Sequence, residues 1–194
     1  MIPKRVLYNL YTVKGLSMEE VAVRLGCSAN KVKYWLVQHD IMRRSISDAV
    51  YLKNNPNGDP FSFRKPKTIE DGILYGMGIG LYWGEGTKSN LNSVRLGNTD
   101  SELLNTFILF LERIFQIKKT DMRFGLQLFT DIDEKKALDY LVGKLKVRKN
   151  QFYKVTVTMS GSIGTYRKKS EYGVVTVYYN NTKLRNKLVE LLPQ

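Results

Sequence analysis

The chain has 194 residues, 43% of them hydrophobic, with one cysteine and one histidine. That is enough apolar material for one ordinary domain plus a small one, while a disulfide framework or a cysteine-based metal site within one chain is excluded and histidine-dependent chemistry is disfavoured. The formal net charge of +13 and a pI near 9.7 point to a polyanionic partner, nucleic acid before an anionic membrane.

No signal peptide is visible, and the longest apolar run, Ile73 to Trp83, is too short to span a bilayer. No membrane association and an intracellular location are therefore expected. The basic excess is shared by residues 1–70 and 71–194, so both parts can face one phosphate backbone.

From the N-terminus, "GLSMEEVAVRLGCSANKVKYWLVQHDI" (Gly15 to Ile41) has the layout of a helix-turn-helix. Ser17 and Glu20 form a capping box for a first helix, whose apolar face is Val21, Ala22 and Leu25. Gly26-Cys27-Ser28 makes the turn, and Ser28 caps a second helix from Ala29 to His39. With Val32, Trp35 and Leu36 buried, Asn30, Lys31, Lys33, Tyr34, Gln38 and His39 are left outward. In that arrangement the second helix enters the major groove and Asn30, Lys31, Lys33 and Tyr34 reach DNA. A helical hairpin with a solvated basic face is the plainer alternative. The module is bounded at 1–45, and the Pro- and Asn-rich run 46–69 ("KNNPNGDPF", "RKPK") is expected to be a linker.

The core, 70–194, alternates helical and strand patterns and predicts an α+β fold with a mainly antiparallel sheet and packed helices. Helices are expected over Asp71–Glu85, Ser101–Phe115, Glu134–Leu145 and Thr182–Leu192. Strands are expected from Val94, over Met122–Phe129, Phe152–Met159 and Val174–Tyr179. "VRLGNTDSELLNTFILFL" and "VTVYYNNTKLRNKLVELL" share a strand, an Asn/Thr-rich turn and a helix, which reads as a duplicated unit or as two similarly capped helices.

The first core helix, "DGILYGMGIGLYWGEG", places Gly72, Gly76, Gly80 and Gly84 on one face. Each interior glycine costs roughly 1 kcal/mol against alanine, so close packing against that face is expected. A dinucleotide-binding loop does not fit, because the third glycine of G-x-G-x-x-G is missing and no strand precedes it.

Within this helix "GIGLYWGEG", Gly78 to Gly86, resembles the signature of LAGLIDADG homing endonucleases. Gly80, Leu81, Gly84, Glu85 and Gly86 fall on motif positions, whereas Gly78, Tyr82 and Trp83 depart from it and Glu replaces the commoner Asp. An N-terminal helix-turn-helix joined to such a core also resembles arrangements in that superfamily, and the likeness extends more loosely over 71–194 through the order helix, strands, helix, strands, helix.

The resemblance implies two such helices packed through Gly76, Gly80 and Gly84, most economically in a homodimer, with Gly86 in left-handed conformation ending the helix. It implies paired Glu85 carboxylates holding Mg²⁺ (or Mn²⁺) for phosphodiester cleavage of double-stranded DNA. That pairing would also relieve the penalty of a carboxylate at a helix C-terminus. Asn98 stands at the matching strand–helix corner, as a site residue or as a helix cap, and Lys88 and Lys154 are the candidate basic groups. The sheet is implied to hold DNA, with Arg95 among its contacts. Arg123 and Gln127, an even number of strand positions apart, share one sheet face and contact DNA there, or form an exposed polar face without a ligand. Arg167, Lys168 and Lys169 end a stretch between Tyr140 and Ser170 that carries only basic charges, and their loop tracks phosphates or is simply solvated. A catalytically silent regulator and an RNA-binding or splicing-assisting protein are the alternative functions.

Overall fold

The computed structural model describes residues 1–160 and 170–193. The chain divides into two compact units, Met1–Pro60 and Phe61–Gln194.

The first unit is all helical. Helix α1 (Lys4–Tyr8) runs into a π-helical turn (Asn9–Val13), followed by α2 (Met18–Arg24), α3 (Ala29–Gln38) and α4 (Ile46–Asn54). The capping box is present: Glu20 N donates to Ser17 Oγ at 3.1 Å and Ser17 N to Glu20 Oε2 at 2.7 Å. Those hydrogen bonds from Ser17 hold the Glu20 carboxyl below its ordinary value. Gly26 turns the chain at φ +61, a conformation that suits glycine.

Ile2, Leu7, Leu10 and Tyr11 bury against Val21, Ala22, Val32, Leu36 and Ile41, so the N-terminal segment closes a core that two helices alone would leave open. The Arg44 guanidinium lies over the Tyr11 ring, 4.1 Å from its centroid, and donates to the carbonyls of Tyr11, Gly15 and Leu16.

The stretch expected to be a linker is structured in two places. Ser45 caps α4 by accepting from Asp48 N at 3.0 Å. In the second unit, Ser62 N and Arg64 N donate to the carbonyls of Phe115 and Ile114 at 2.9 and 2.7 Å, and Phe61 and Phe63 pack on Phe115.

That second unit is α+β. Its elements are α5 (Ile69–Glu85), β1 (Val94–Asn98), α6 (Ser101–Phe115), β2 (Arg123–Phe129), α7 (Glu134–Leu145), β3 (Thr156–Thr158), β4 (Val174–Tyr179) and α8 (Thr182–Glu190). One strand, rather than a pair, separates α5 from α6 and α6 from α7. The sheet order is β1-β4-β2-β3, antiparallel for the first two ladders and parallel for β2–β3. β1–α6 and β4–α8, the two similar stretches, are both strand–turn–helix units, capped by Asp100 and Asn181, and their strands are neighbours.

Strand alternation sends Val94, Leu96, Phe124, Leu126, Leu128, Val175, Val177 and Tyr179 into the helix-covered core. Phe107, Phe110, Leu111 and Ile114 of α6 fill its centre. The core would not accept a side chain at Gly78: a Cβ there would sit inside the Phe110 ring. Close packing on α5 therefore occurs at Gly78, against α6. Gly72, Gly76, Gly80 and Gly84 lie on the opposite side, exposed, with no heavy atom near where a Cβ would stand.

Candidate nucleic-acid interface

Two surfaces and one helix end carry the expected functional residues. On α3, Asn30, Lys31, Lys33 and Tyr34 are all exposed, and so is Gln38. Val37, 57% exposed, shares their face and was not singled out from the sequence. His39 departs from expectation. Its Nε2 lies 2.8 Å from the Ile2 carbonyl and its ring stacks on Trp35, so it ties α3 to the N-terminal segment.

The second surface is the sheet face opposite the helices. Pairing sets Arg95, Tyr178 and Arg123 in one row across β1, β4 and β2, and Gly97, Thr176 and Gly125 in the next. Gln127 stands one step further along β2, beside Thr156 of β3. The fold thus brings Arg95, Arg123 and Gln127 to a common accessible face. Each has a fixed orientation. Arg95 Nε donates to Ser93 Oγ at 2.8 Å and its guanidinium lies over Tyr178, 5.2 Å from the ring centroid. Arg123 donates to the carbonyls of Thr120 and Met122, and Gln127 Nε2 to Thr158 Oγ1 at 3.2 Å.

Tyr178 also meets Tyr153 edge-on at 5.5 Å, and Asn180 Nδ2 donates to the Tyr153 hydroxyl at 3.1 Å. Tyr178 was legible in principle: it occupies the outward register of β4, alternating with Val177 and Tyr179. Glycines at 97 and 125 keep the middle row low, since a Cβ at either would press on Thr176 or Tyr178.

The C-terminal end of α5 reaches this sheet at the β1 edge. Gly86 bridges Leu96, and Thr87 N donates to the Arg95 carbonyl at 2.9 Å. Glu85, the last helical residue, is exposed one position before that bridge. Gly86 is not left-handed; its φ is −70. Glycine is required there because a Cβ would collide with the ring and carbonyl of Tyr82.

Lys88 ends the helix electrostatically. Its Nζ donates to the Trp83 carbonyl, and its own carbonyl accepts from Arg185 Nη2 of α8. A cation thus already complements the α5 dipole beside Glu85. Arg185, far off in sequence, carried no local signal for this role. The Tyr82 hydroxyl, which feels the Arg185 charge, is fully buried with no hydrogen-bond partner among the described residues.

Asn98 Oδ1 accepts from Asp100 N at 3.0 Å, and Asp100 in turn caps α6, so Asn98 shapes the corner. Its oxygen retains a lone pair for a second partner. Lys154 is exposed on the β3 side of the sheet. β1 and β3 stand three strand spacings of roughly 4.8 Å apart, so the fold separates Lys154 from Glu85, Lys88 and Asn98. Arg167, Lys168 and Lys169 lie outside the described residues.

Among the described residues no three His, Cys, Asp or Glu side chains converge to hold a metal ion, and no helix is long and apolar enough to cross a membrane. Comparison with protein-family models, with curated proteins and with solved structures returns no match.

Proposed function

We propose that this protein binds double-stranded DNA sequence-specifically as a homodimer and cleaves it with Mg²⁺ (or Mn²⁺), in the manner of the LAGLIDADG homing endonucleases that its α5 motif resembles. The observation that carries the reading is the convergence of Arg95, Arg123 and Gln127 on one accessible sheet face, with Glu85 at the edge of that sheet. Guanidinium and amide groups held at fixed strand spacing suit both base edges and phosphates. The exposed face of α3 would extend the contact into a major groove.

The open face of α5 supports the dimer. Ile69, Ile73, Met77 and Trp83 are 80%, 58%, 49% and 56% exposed around the glycine stripe. Such an exposed apolar helix face gains by covering itself with a second copy, and the glycines let two backbones approach. That pairing would bring Glu85 to Glu85 of the second copy.

The donors at this end are oxygens, the Glu85 carboxylate and the free lone pair of Asn98, and these suit a hard cation. A divalent ion held there supplies Lewis acidity toward a phosphate and a more acidic water. The chain's own residues do the rest. Arg95 and Arg123 hold the backbone in place, Lys88 fixes the helix end that presents Glu85, and Asn98 fixes the strand–helix corner beside it.

The test is cleavage and gel-shift on a site selected from a random library, in Mg²⁺ and in Ca²⁺, with wild type and Glu85→Gln. Cleavage is expected to fall by orders of magnitude in the variant while binding persists. A wild type that binds but never cuts supports the silent regulator instead, a reading favoured by the fact that α3 and the sheet face need no Glu85 to bind. A preference for RNA over the selected duplex would overturn the DNA reading.

A further inference from the structure

At the start of β2 a small polar recess of about 110 Å³ opens between Thr120, Arg123, Arg148, Asn150 and Gln151. It is built rather than incidental. Gln151 is 6% exposed, and its side chain spans the gap between two segments. Its Nε2 donates to the carbonyls of Lys119 and Met122 at 2.8 and 3.2 Å, and its Oε1 accepts from Arg148 N at 2.9 Å. This fixes the backbone of Arg148 against the turn that leads into β2.

Arg123 Nη1 spends its hydrogens on the carbonyls of Thr120 and Met122, at 3.2 and 3.0 Å. The guanidinium is thereby locked, with Nη2 and Nε left to donate elsewhere. Arg148 is exposed, and no carboxylate among the described residues pairs with it. The acid beside Arg123 in sequence, Asp121, accepts from the Thr120 hydroxyl at 3.3 Å and does not line the recess.

Two guanidinium groups and the Asn150 amide thus line an open recess with room for several waters. That room suits a single phosphoryl group. Bidentate arginine geometry fits a tetrahedral oxyanion. The recess also ends the row Arg95–Tyr178–Arg123, so it lies at the rim of the sheet face, across the sheet from β1 and Glu85.

We infer that this recess clasps one backbone phosphate of the duplex and so sets how far the DNA lies across the sheet. The inference rests on the duplex-binding reading above. Arg148 acts here as a positioning residue and carries no sequence preference of its own.

The experiment uses the full chain as wild type, Arg148→Ala and Arg148→Lys, on a duplex selected by the wild type and on a scrambled one. Binding is followed by fluorescence anisotropy over a range of salt, with thermal unfolding to confirm that each variant is folded. The slope of log affinity against log salt is expected to fall by about 0.9 per protomer in Arg148→Ala, the value for one lost phosphate contact, and so by about 1.8 for the dimer. The fall should be the same on both sequences, and Arg148→Lys should regain part of it.

A walk of single methylphosphonate linkages is expected to find one position in each half-site that weakens wild type and leaves Arg148→Ala unchanged. Equal slopes, or no linkage coupled to Arg148, would overturn the inference while leaving duplex binding intact. Inorganic phosphate that raises the unfolding temperature of wild type alone, again with no coupled linkage, would mark a free-anion site and overturn it too. A wild type with no duplex affinity at all sinks both this inference and the reading beneath it.

Discussion

Tyr82 is the side chain whose chemistry is most at odds with its surroundings. Its ring stacks parallel to Phe107 at 6.1 Å and belongs in the core, yet its hydroxyl is buried with no partner. Burial pushes its pKa above the ordinary tyrosine value, more than the nearby Arg185 lowers it. The folded chain therefore keeps the phenol proton at a pH where the unfolded chain loses it. Stability from this group is full below the unfolded value, about 10, and is lost as pH rises past it. Tyr82→Phe is expected to be neutral to about 1 kcal/mol stabilising at neutral pH, because it removes a buried polar group without leaving an orphaned partner. It should also lose less stability than wild type on going alkaline, measured by urea denaturation near pH 7 and near pH 11. An identical alkaline loss would mean that the hydroxyl reaches water.

Helix α5 shows how far a pattern can be read from sequence at the scale of an element. The four-residue glycine period marks a helix with a smooth face, and that much is legible. What the period cannot say is which glycine is pressed. Gly78, outside the period, is the one held against Phe110, whereas Gly80 faces open space.

The two positions therefore predict opposite behaviour. Gly78→Ala should cost roughly 1–3 kcal/mol of unfolding free energy through overpacking, with no direct effect on association. Gly80→Leu should leave the folded chain intact and shift a dimer to monomer in light scattering. A monomeric wild type, or a dimeric Gly80→Leu, would remove the glycine face from the account. β3 illustrates the opposite limit. Phe152 to Met159 is rich in β-formers, but Phe152 makes only an isolated bridge to Phe124 and the ladder is confined to Thr156–Thr158. Helix α4 had a readable cap in Ser45 and Asp48, masked by the Pro- and Asn-rich sequence after it.

Across the whole molecule, Met1–Pro60 and Phe61–Gln194 each have their own buried cluster. Expressed separately, both are expected to fold, with the first melting as a helical unit by circular dichroism. If both face one duplex, each alone should bind more weakly and with a shallower salt dependence than the full chain. A core fragment matching the full chain in affinity and footprint would remove α3 from the interface. Legibility at this scale follows sequence distance. The exposed side of α3 and the alternation of β2 are local patterns, and they placed Asn30, Lys31, Lys33, Tyr34, Arg123 and Gln127 on accessible faces. Arg185 at the end of α5, and the separation of Lys154 from Glu85, depend on strand order and on pairing between distant segments, which no local pattern contains.

The contact from Arg185 to Lys88 spans 97 positions, and it has a kinetic side. Contacts between distant segments close late, because the loop entropy is spent before the contact rewards it. The Arg185 clamp on the end of α5 is thus among the last contacts of the second unit to form. During synthesis that clamp is absent until α8 has left the ribosome. A nascent chain therefore carries its carboxylate on a helix terminus held by Lys88 and the β1 edge alone, and a chain made as far as α8 adds the last restraint on it.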